Sequence, residues 1–201
     1  MKHVLEFPAL YQLYQEAGGF FGARIAAIRD YLAIPPRARV IDIGCGPGFI
    51  VRHLPDSIDY VGFDIDAPSI TYARRHFGAQ GRFEARLFDA AAAAEFGPAD
   101  IVMMNGVMHH IGDAELLATL RVIGTALKPG GVLFTLDGCY LDGQPKLARW
   151  LLDKDRGAHV RDRAGYENLL RQVFASVDLH IREDCSRLPY TFAIGVARNH
   201  G

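Results

Sequence analysis

Val40-Ile41-Asp42-Ile43-Gly44-Cys45-Gly46-Pro47-Gly48-Phe49 passes from a β-branched apolar run, through alternating glycines, into the start of a helical pattern. A run of that kind bounded by glycine reads as a strand buried on both faces. Breaking it at glycines before a helix puts bare main chain at the carboxyl end of a parallel sheet. Val61-Gly62-Phe63-Asp64 follows as a second buried strand that closes on an acid. Together the two segments outline a crevice with exposed backbone on one wall and a carboxylate on the other, where an adenosine-containing ligand can lie.

On either side the chain alternates. β-rich runs at Arg39–Ile43, Tyr60–Phe63, Arg82–Leu87, Ile101–Met104 and Val132–Leu136 are separated by helical patterns at Phe49–Leu54, Pro68–Phe77 and Ala114–Leu127. Such alternation predicts right-handed βαβ units and a parallel sheet covered on both faces. Lys128-Pro129-Gly130-Gly131 reads as a helix stop directly before a strand. Upstream, residues 1–33 read as two helical pieces broken at Gly18-Gly19, the second with Phe21, Ile25, Ile28 and Leu32 on one face. Downstream, a helix over Tyr166–Val173 leads to strands at Ala175–Arg182 and Tyr190–Ala197, whose short link predicts an antiparallel pair. Residues between Gly138 and Asp162 belong to no element of the alternation and stand where an insertion would cover a crevice or pack as a surface helix.

Bulk properties narrow the function classes. A chain of 201 residues suits a single domain. Net charge is −1, and the arginines from Arg149 to Arg171 are interleaved with Asp153, Asp155, Asp162 and Glu167, so no nucleic-acid partner is expected. The residues after Met1 lack the apolar core of a signal peptide, and no stretch reaches the ~20 apolar residues of a membrane helix, so no membrane insertion is expected. Cys45, Cys139 and Cys185 are widely spaced with no CxxC pair, which argues against a disulfide framework or zinc site and for a reducing cytoplasm.

The glycine turn discriminates between cofactors. In a dinucleotide turn the third small residue lets helix and sheet pack while pyrophosphate sits at the helix start. Here Phe49 occupies that place, and Asp42 adds a charge that repels pyrophosphate while suiting a cationic amine or bracing the turn. Asp42-x-Gly44-x-Gly46-x-Gly48 resembles the signature turn of class I S-adenosylmethionine-dependent methyltransferases. Further motifs resemble that family in order: Asp64 its ribose-binding acid with Ile65 beside it, Phe88-Asp89 its adenine-contacting pair, Asn105-Gly106-Val107-Met108-His109-His110 the segment lining the methionine end, and Leu127–Gly131 the turn before the fifth strand. The resemblance spans residues 38–138 and extends more weakly to Pro189-Tyr190-Thr191, Asp155-Arg156-Gly157 with Val160-Arg161, and Tyr11, which are similar to small bacterial members. It implies S-adenosyl-L-methionine as cofactor, S-adenosyl-L-homocysteine as product, and Cys45 and Tyr11 among the binding residues.

The resemblance also implies an α/β, Rossmann-like doubly wound sheet of seven strands, mostly parallel with the final strand antiparallel. A single domain over residues 1–201 would comprise N-terminal helices (1–36), a cofactor-binding core (37–138), a cap inserted after the fifth strand (139–165) and a closing helix with an antiparallel strand pair (166–201). The expected reaction is methyl transfer to oxygen or nitrogen of a small-molecule acceptor, a glycan precursor or secondary metabolite, by a monomer or homodimer. His109 or His110 is the candidate general base, against a loop-shaping role through main-chain hydrogen bonds. Asn105 and Asp137-Gly138 offer too few hard oxygen ligands for a magnesium site, so no metal is expected. A catalytically idle cofactor-binding scaffold and, further off, a nicotinamide-dependent reductase are the competing classes. Asp66-Ala67-Pro68 reads as a helix cap, Phe49 and Ile50 as packing residues, Tyr14 as core, and Trp150 as packing rather than substrate stacking.

Overall fold

The computed structural model describes residues 19–154 and 157–200. Helix α1 (Phe20–Tyr31) precedes β1 (Arg39–Ile43), and a short 3-10 helix (Phe49–His53) then leads to β2 (Asp59–Asp64). There follow α2 (Ala67–Phe77), β3 (Arg82–Ala85), α3 (Ala90–Phe96), β4 (Ala99–Asn105), a 3-10 turn (Met108–His110), α4 (Asp113–Ala126) and β5 (Leu127–Tyr140). The chain closes with α5 (Lys146–Asp153), β6 (Arg161–Asp162), α6 (Arg163–Arg171), β7 (Ser176–Arg182) and β8 (Phe192–Arg198).

The main sheet runs β3-β2-β1-β4-β5-β8-β7, with β6 paired to β5 off this path. β1 pairs in parallel with both β2 and β4, so the chain reverses its direction of growth across the sheet there, the place where α/β sheets open a crevice. β8 is antiparallel to β5 and β7, as the short link indicates. Side-chain alternation divides the core between the faces: Ile41, Ile43 and Phe63 pack with α3, α4 and α6, whereas Val40, Tyr60 and Met103 pack with α1 and α2.

Three of the differences from the sequence expectation bear on the core of the sheet. The helix after the glycine turn is one residue shorter and of 3-10 type, pinned by Phe49 against Tyr72 and Phe77. Residues 90–96 form a helix that the alanine run did not announce, capped by Asp89, whose carboxylate accepts from Ala92 N at 2.9 Å. The Lys128–Gly131 stop lies inside β5: Leu127 pairs with Ala99, the register shifts, and pairing resumes at Val132 opposite Ile101. As expected, Asp66 caps α2 by accepting from Ser69 N at 2.9 Å, with Pro68 in the first turn.

Candidate functional site

A cavity of about 910 Å³ opens at the carboxyl ends of β1, β2 and β4. Its walls come from the glycine turn, from Asp64–Asp66 after β2, from Arg86–Phe88 after β3, from Asn105–Val107, His110 and Ile111 after β4, and from Phe21 and Arg24 of α1. Each of these segments lies at or just past the end of a strand, except the two residues of α1.

The turn spends its amides internally. Gly44 N and Cys45 N both donate to Phe63 O, at 2.8 and 3.0 Å, and Gly48 N donates to Cys45 O at 3.1 Å. Gly46 N donates to Asp64 Oδ2 at 2.8 Å, while Asp64 Oδ1 accepts from Asp66 N at 2.9 Å. Pro47 has no N–H to give. From Gly44 to Gly48, then, no amide is left for a phosphate, and the helix that follows is too short and of the wrong type to supply a strong N-terminal field. The carboxylates of Asp42 and Asp64 make this end of the cavity receptive to cations.

Asp42 is buried and accepts from the Tyr60 hydroxyl at 2.7 Å. Burial holds its carboxyl at about 7, with the Tyr60 hydrogen bond and the Arg24 charge working against the rise. Burial likewise pushes the Cys45 thiol well above its usual range, so Cys45 serves as a small wall residue rather than a nucleophile. Asn105 is 6% exposed, lines the cavity, and has neither amide nitrogen nor oxygen paired among the described residues. An amide so placed is a donor–acceptor pair awaiting a polar ligand. Ile65 and Leu87, 72% and 67% exposed, flank the mouth as apolar surfaces suited to a planar ring.

After β4 the two histidines part. His110 is exposed and faces the cavity. His109 is buried, its Nδ1 2.6 Å from Asp137 Oδ1 at the end of β5, and is absent from the cavity wall. Of the other residues singled out in the sequence, Asp42, Gly44, Cys45, Gly46, Asp64, Ile65, Phe88, Asn105 and Gly106 meet in the cavity. Phe49 and Ile50 pack as expected but also contribute wall. Gly48 stands behind the wall, at φ +77°, where a Cβ would lie 2.8 Å from the Phe83 ring and 3.1 Å from Ala73 Cβ. Asp89 is exposed, caps α3 and is likewise outside the wall. Tyr11 and the Asp155-Arg156 pair lie outside the described residues.

Sequence reasoning missed Arg24, Arg86, Leu87 and Ile111. Arg24 sits on an amphipathic helix far from any motif, and only its polar character on an otherwise apolar stretch marks it. Among the described residues, no group of three or more His, Cys, Asp or Glu is placed to hold a metal ion, and no helix is long and apolar enough to cross a membrane.

Comparison with known proteins agrees with this geometry. The sequence model of a family described as a methyltransferase domain matches residues 41–133. A ubiquinone biosynthesis O-methyltransferase of Chelativorans sp. (strain BNC1) is 30% identical over 205 aligned positions, covering 88% of this chain and 79% of that protein. A malonyl-[acyl-carrier protein] O-methyltransferase of Magnetococcus marinus is 34% identical over 104, covering 50% of this chain but only 38% of its own length. In structure, human N-acetylserotonin methyltransferase in complex with SAM superposes with a TM-score of 0.67 at 21% identity, over 90% of this chain and 52% of that one, a likeness of fold.

Proposed function

This chain belongs to the class I S-adenosylmethionine-dependent methyltransferases, and we propose that it methylates an oxygen or nitrogen of a small-molecule acceptor, such as a glycan precursor or secondary metabolite, with S-adenosyl-L-methionine as donor. The observation that carries the choice of ligand is the amide count of the glycine turn: its N–H groups are taken from Gly44 to Gly48, and the Asp64 carboxylate stands beside them. At the turn a pyrophosphate would find an acid and no main-chain donors; a ligand with an ammonium, a sulfonium and no phosphate meets the right charge there. The curated relatives named above are O-methyltransferases, which supports oxygen as the receiving atom.

In this assignment Asp64 accepts from the ribose hydroxyls, with Ile65, Leu87 and Phe88 enclosing the adenine. Asp42 and Asn105 serve the amino-acid end, and Arg24 offers its guanidinium to the carboxylate there. Bound, the cofactor supplies an electrophilic methyl on a good leaving group. The chain's task is then to fix the acceptor in line with that methyl and exclude water, which accounts for the absence of a nucleophilic triad from the cavity wall among the described residues. His110, the imidazole on that wall, is placed to take the acceptor's proton. Three free cysteines suit a reducing compartment such as the cytoplasm.

Calorimetric titration with S-adenosyl-L-homocysteine and with NADH tests the ligand assignment. The first should bind at micromolar or tighter and the second not measurably, and a folded Asp64→Ala protein should lose roughly tenfold or more in affinity. Binding of NADH in preference would sink the assignment. Transfer of label from S-adenosyl-L-methionine across a panel of phenols, hydroxy acids and amines then separates an enzyme from an idle binding module.

A further inference from the structure

Arg161 is 8% exposed, and burying a guanidinium is unfavourable unless its donors are met. All five of its N–H groups are met. Nε and Nη2 donate to Asp113 Oδ1 at 2.9 and 2.7 Å, Nη1 to Met108 O and His159 O at 2.9 Å each, and Nη2 again to Ile111 O at 2.6 Å. Two of those carbonyls belong to the 3-10 turn after β4 and its exit, Met108 O accepting from Ile111 N at 3.2 Å as well as from Arg161. The same segment carries His110 and Ile111 in the cavity wall, whereas no described residue beyond Thr119 lines it.

Arg161 is itself anchored from behind. It opens β6, paired with Cys139 of β5, and the Tyr166 hydroxyl that lies 3.5 Å from its amide donates to Gly138 O at 2.9 Å. Around it the strand's approach lies on the turn: His159 N donates to His109 O at 2.9 Å, and a Cβ on Gly157 would fall 2.0 Å from His109 Cδ2. Among its described residues, the inserted segment lines none of the cavity and meets the back of the loop instead.

We propose that Arg161 is a positioning residue for methyl transfer, fixing Met108–Asp113 in the shape that presents His110 and Ile111 to the bound ligands. This rests on the methyltransferase reading above. A lysine in its place keeps the charge but offers three donors on a point ammonium instead of a planar five-donor fork, so it reproduces only part of the grip.

The test uses the full chain, nitrogen-labelled, in three variants: Arg161→Gln, Arg161→Lys and Asp113→Asn. Asp113→Asn loosens the outer anchor, on a side chain 77% exposed, without emptying the buried niche. Backbone resonances of residues 108–113 and the His110 imidazole should shift, with those of β1 and β2 unmoved. The dissociation constant of S-adenosyl-L-homocysteine should rise roughly tenfold in Arg161→Gln and less in Arg161→Lys. Wild-type positions for the loop and imidazole signals in a folded variant, with unchanged affinity, would overturn the proposal; so would shifts spread evenly over the sheet, which mark general support. If Arg161→Gln does not fold, Asp113→Asn carries the same decision. Failure of the wild-type protein to take S-adenosyl-L-homocysteine would instead strike the methyltransferase reading, and the resonance arm would still decide whether Arg161 shapes the loop.

Discussion

His109 Nδ1, in the 3-10 turn after β4, and Asp137 Oδ1, within β5, lie 2.6 Å apart, both side chains buried. The same carboxylate oxygen accepts from His109 N at 3.2 Å, so Asp137 holds the residue by ring and backbone at once. With the carboxyl oxygen accepting, the ring donates through Nδ1. Removing the acceptor takes this buried partner from both donors. Asp137→Ala should therefore lower stability by about 2–4 kcal/mol, and Asp137→Asn, which keeps one carbonyl oxygen, by less. Urea unfolding at neutral pH measures both; equal stability of Asp137→Ala and wild type would show that the pair does not hold the loop.

Asp42 should make stability depend on pH in an unusual direction for an acid. Its carboxyl titrates at about 7 when folded, chiefly through burial, against an ordinary 3.8. Between those values the folded state binds the extra proton, so the contribution is fully present below about 3.8 and is lost as pH rises through 7. The span is about 4 kcal/mol. Asp42→Asn removes this slope, and its stability relative to wild type should climb from pH 4 to pH 8. Tyr60→Phe deletes a bond that favours the ionised form, so its penalty should be larger at pH 8 than at pH 5. Parallel slopes for wild type and Asp42→Asn would contradict the assignment.

The parts legible in the sequence were those written in local pattern. The β1 run, the acid ending β2, the Asp66 cap and the antiparallel closing pair each follow from residues within a few positions of one another. Arg161 lies 48 residues from Asp113, which it grips, and nothing near it hints at that partner. α3 was hidden because Ala90–Ala94 has no amphipathic period, while Asp89, read as a ligand contact, carries its start signal as a cap. β5 was read short because Pro129 and two glycines spell a stop, yet the sheet tolerates them as a register shift. Arg24 joined the site only when α1 folded over the mouth.

Gly44 meets Val107 across the cavity floor, and the pair can be taken apart by a cycle. At φ +74° an alanine is strained, and its Cβ would sit 2.3 Å from Val107 Cγ2. Gly44→Ala should cost about 2–4 kcal/mol, the sum of left-handed strain and overpacking. Val107→Ala removes the colliding methyl but not the strain, so the double variant should recover roughly half of the loss. Strict additivity of the two single effects would mean that the loop yields to the methyl freely.

Asp89 offers the sharpest division between a resemblance and a geometry. The resemblance places its carboxylate against the adenine amine, whereas the structure has it exposed and accepting from Ala92 N at 2.9 Å. As a cap, Asp89→Ala should lower stability by about 1 kcal/mol, with Asp89→Asn near wild type. Affinity for S-adenosyl-L-homocysteine should then stay within about threefold, because Leu87 and Phe88, proposed above to enclose the adenine, line the cavity and Asp89 does not. A tenfold loss of affinity in Asp89→Asn, where the cap survives and only the charge is gone, would reverse the assignment and return Asp89 to the ligand.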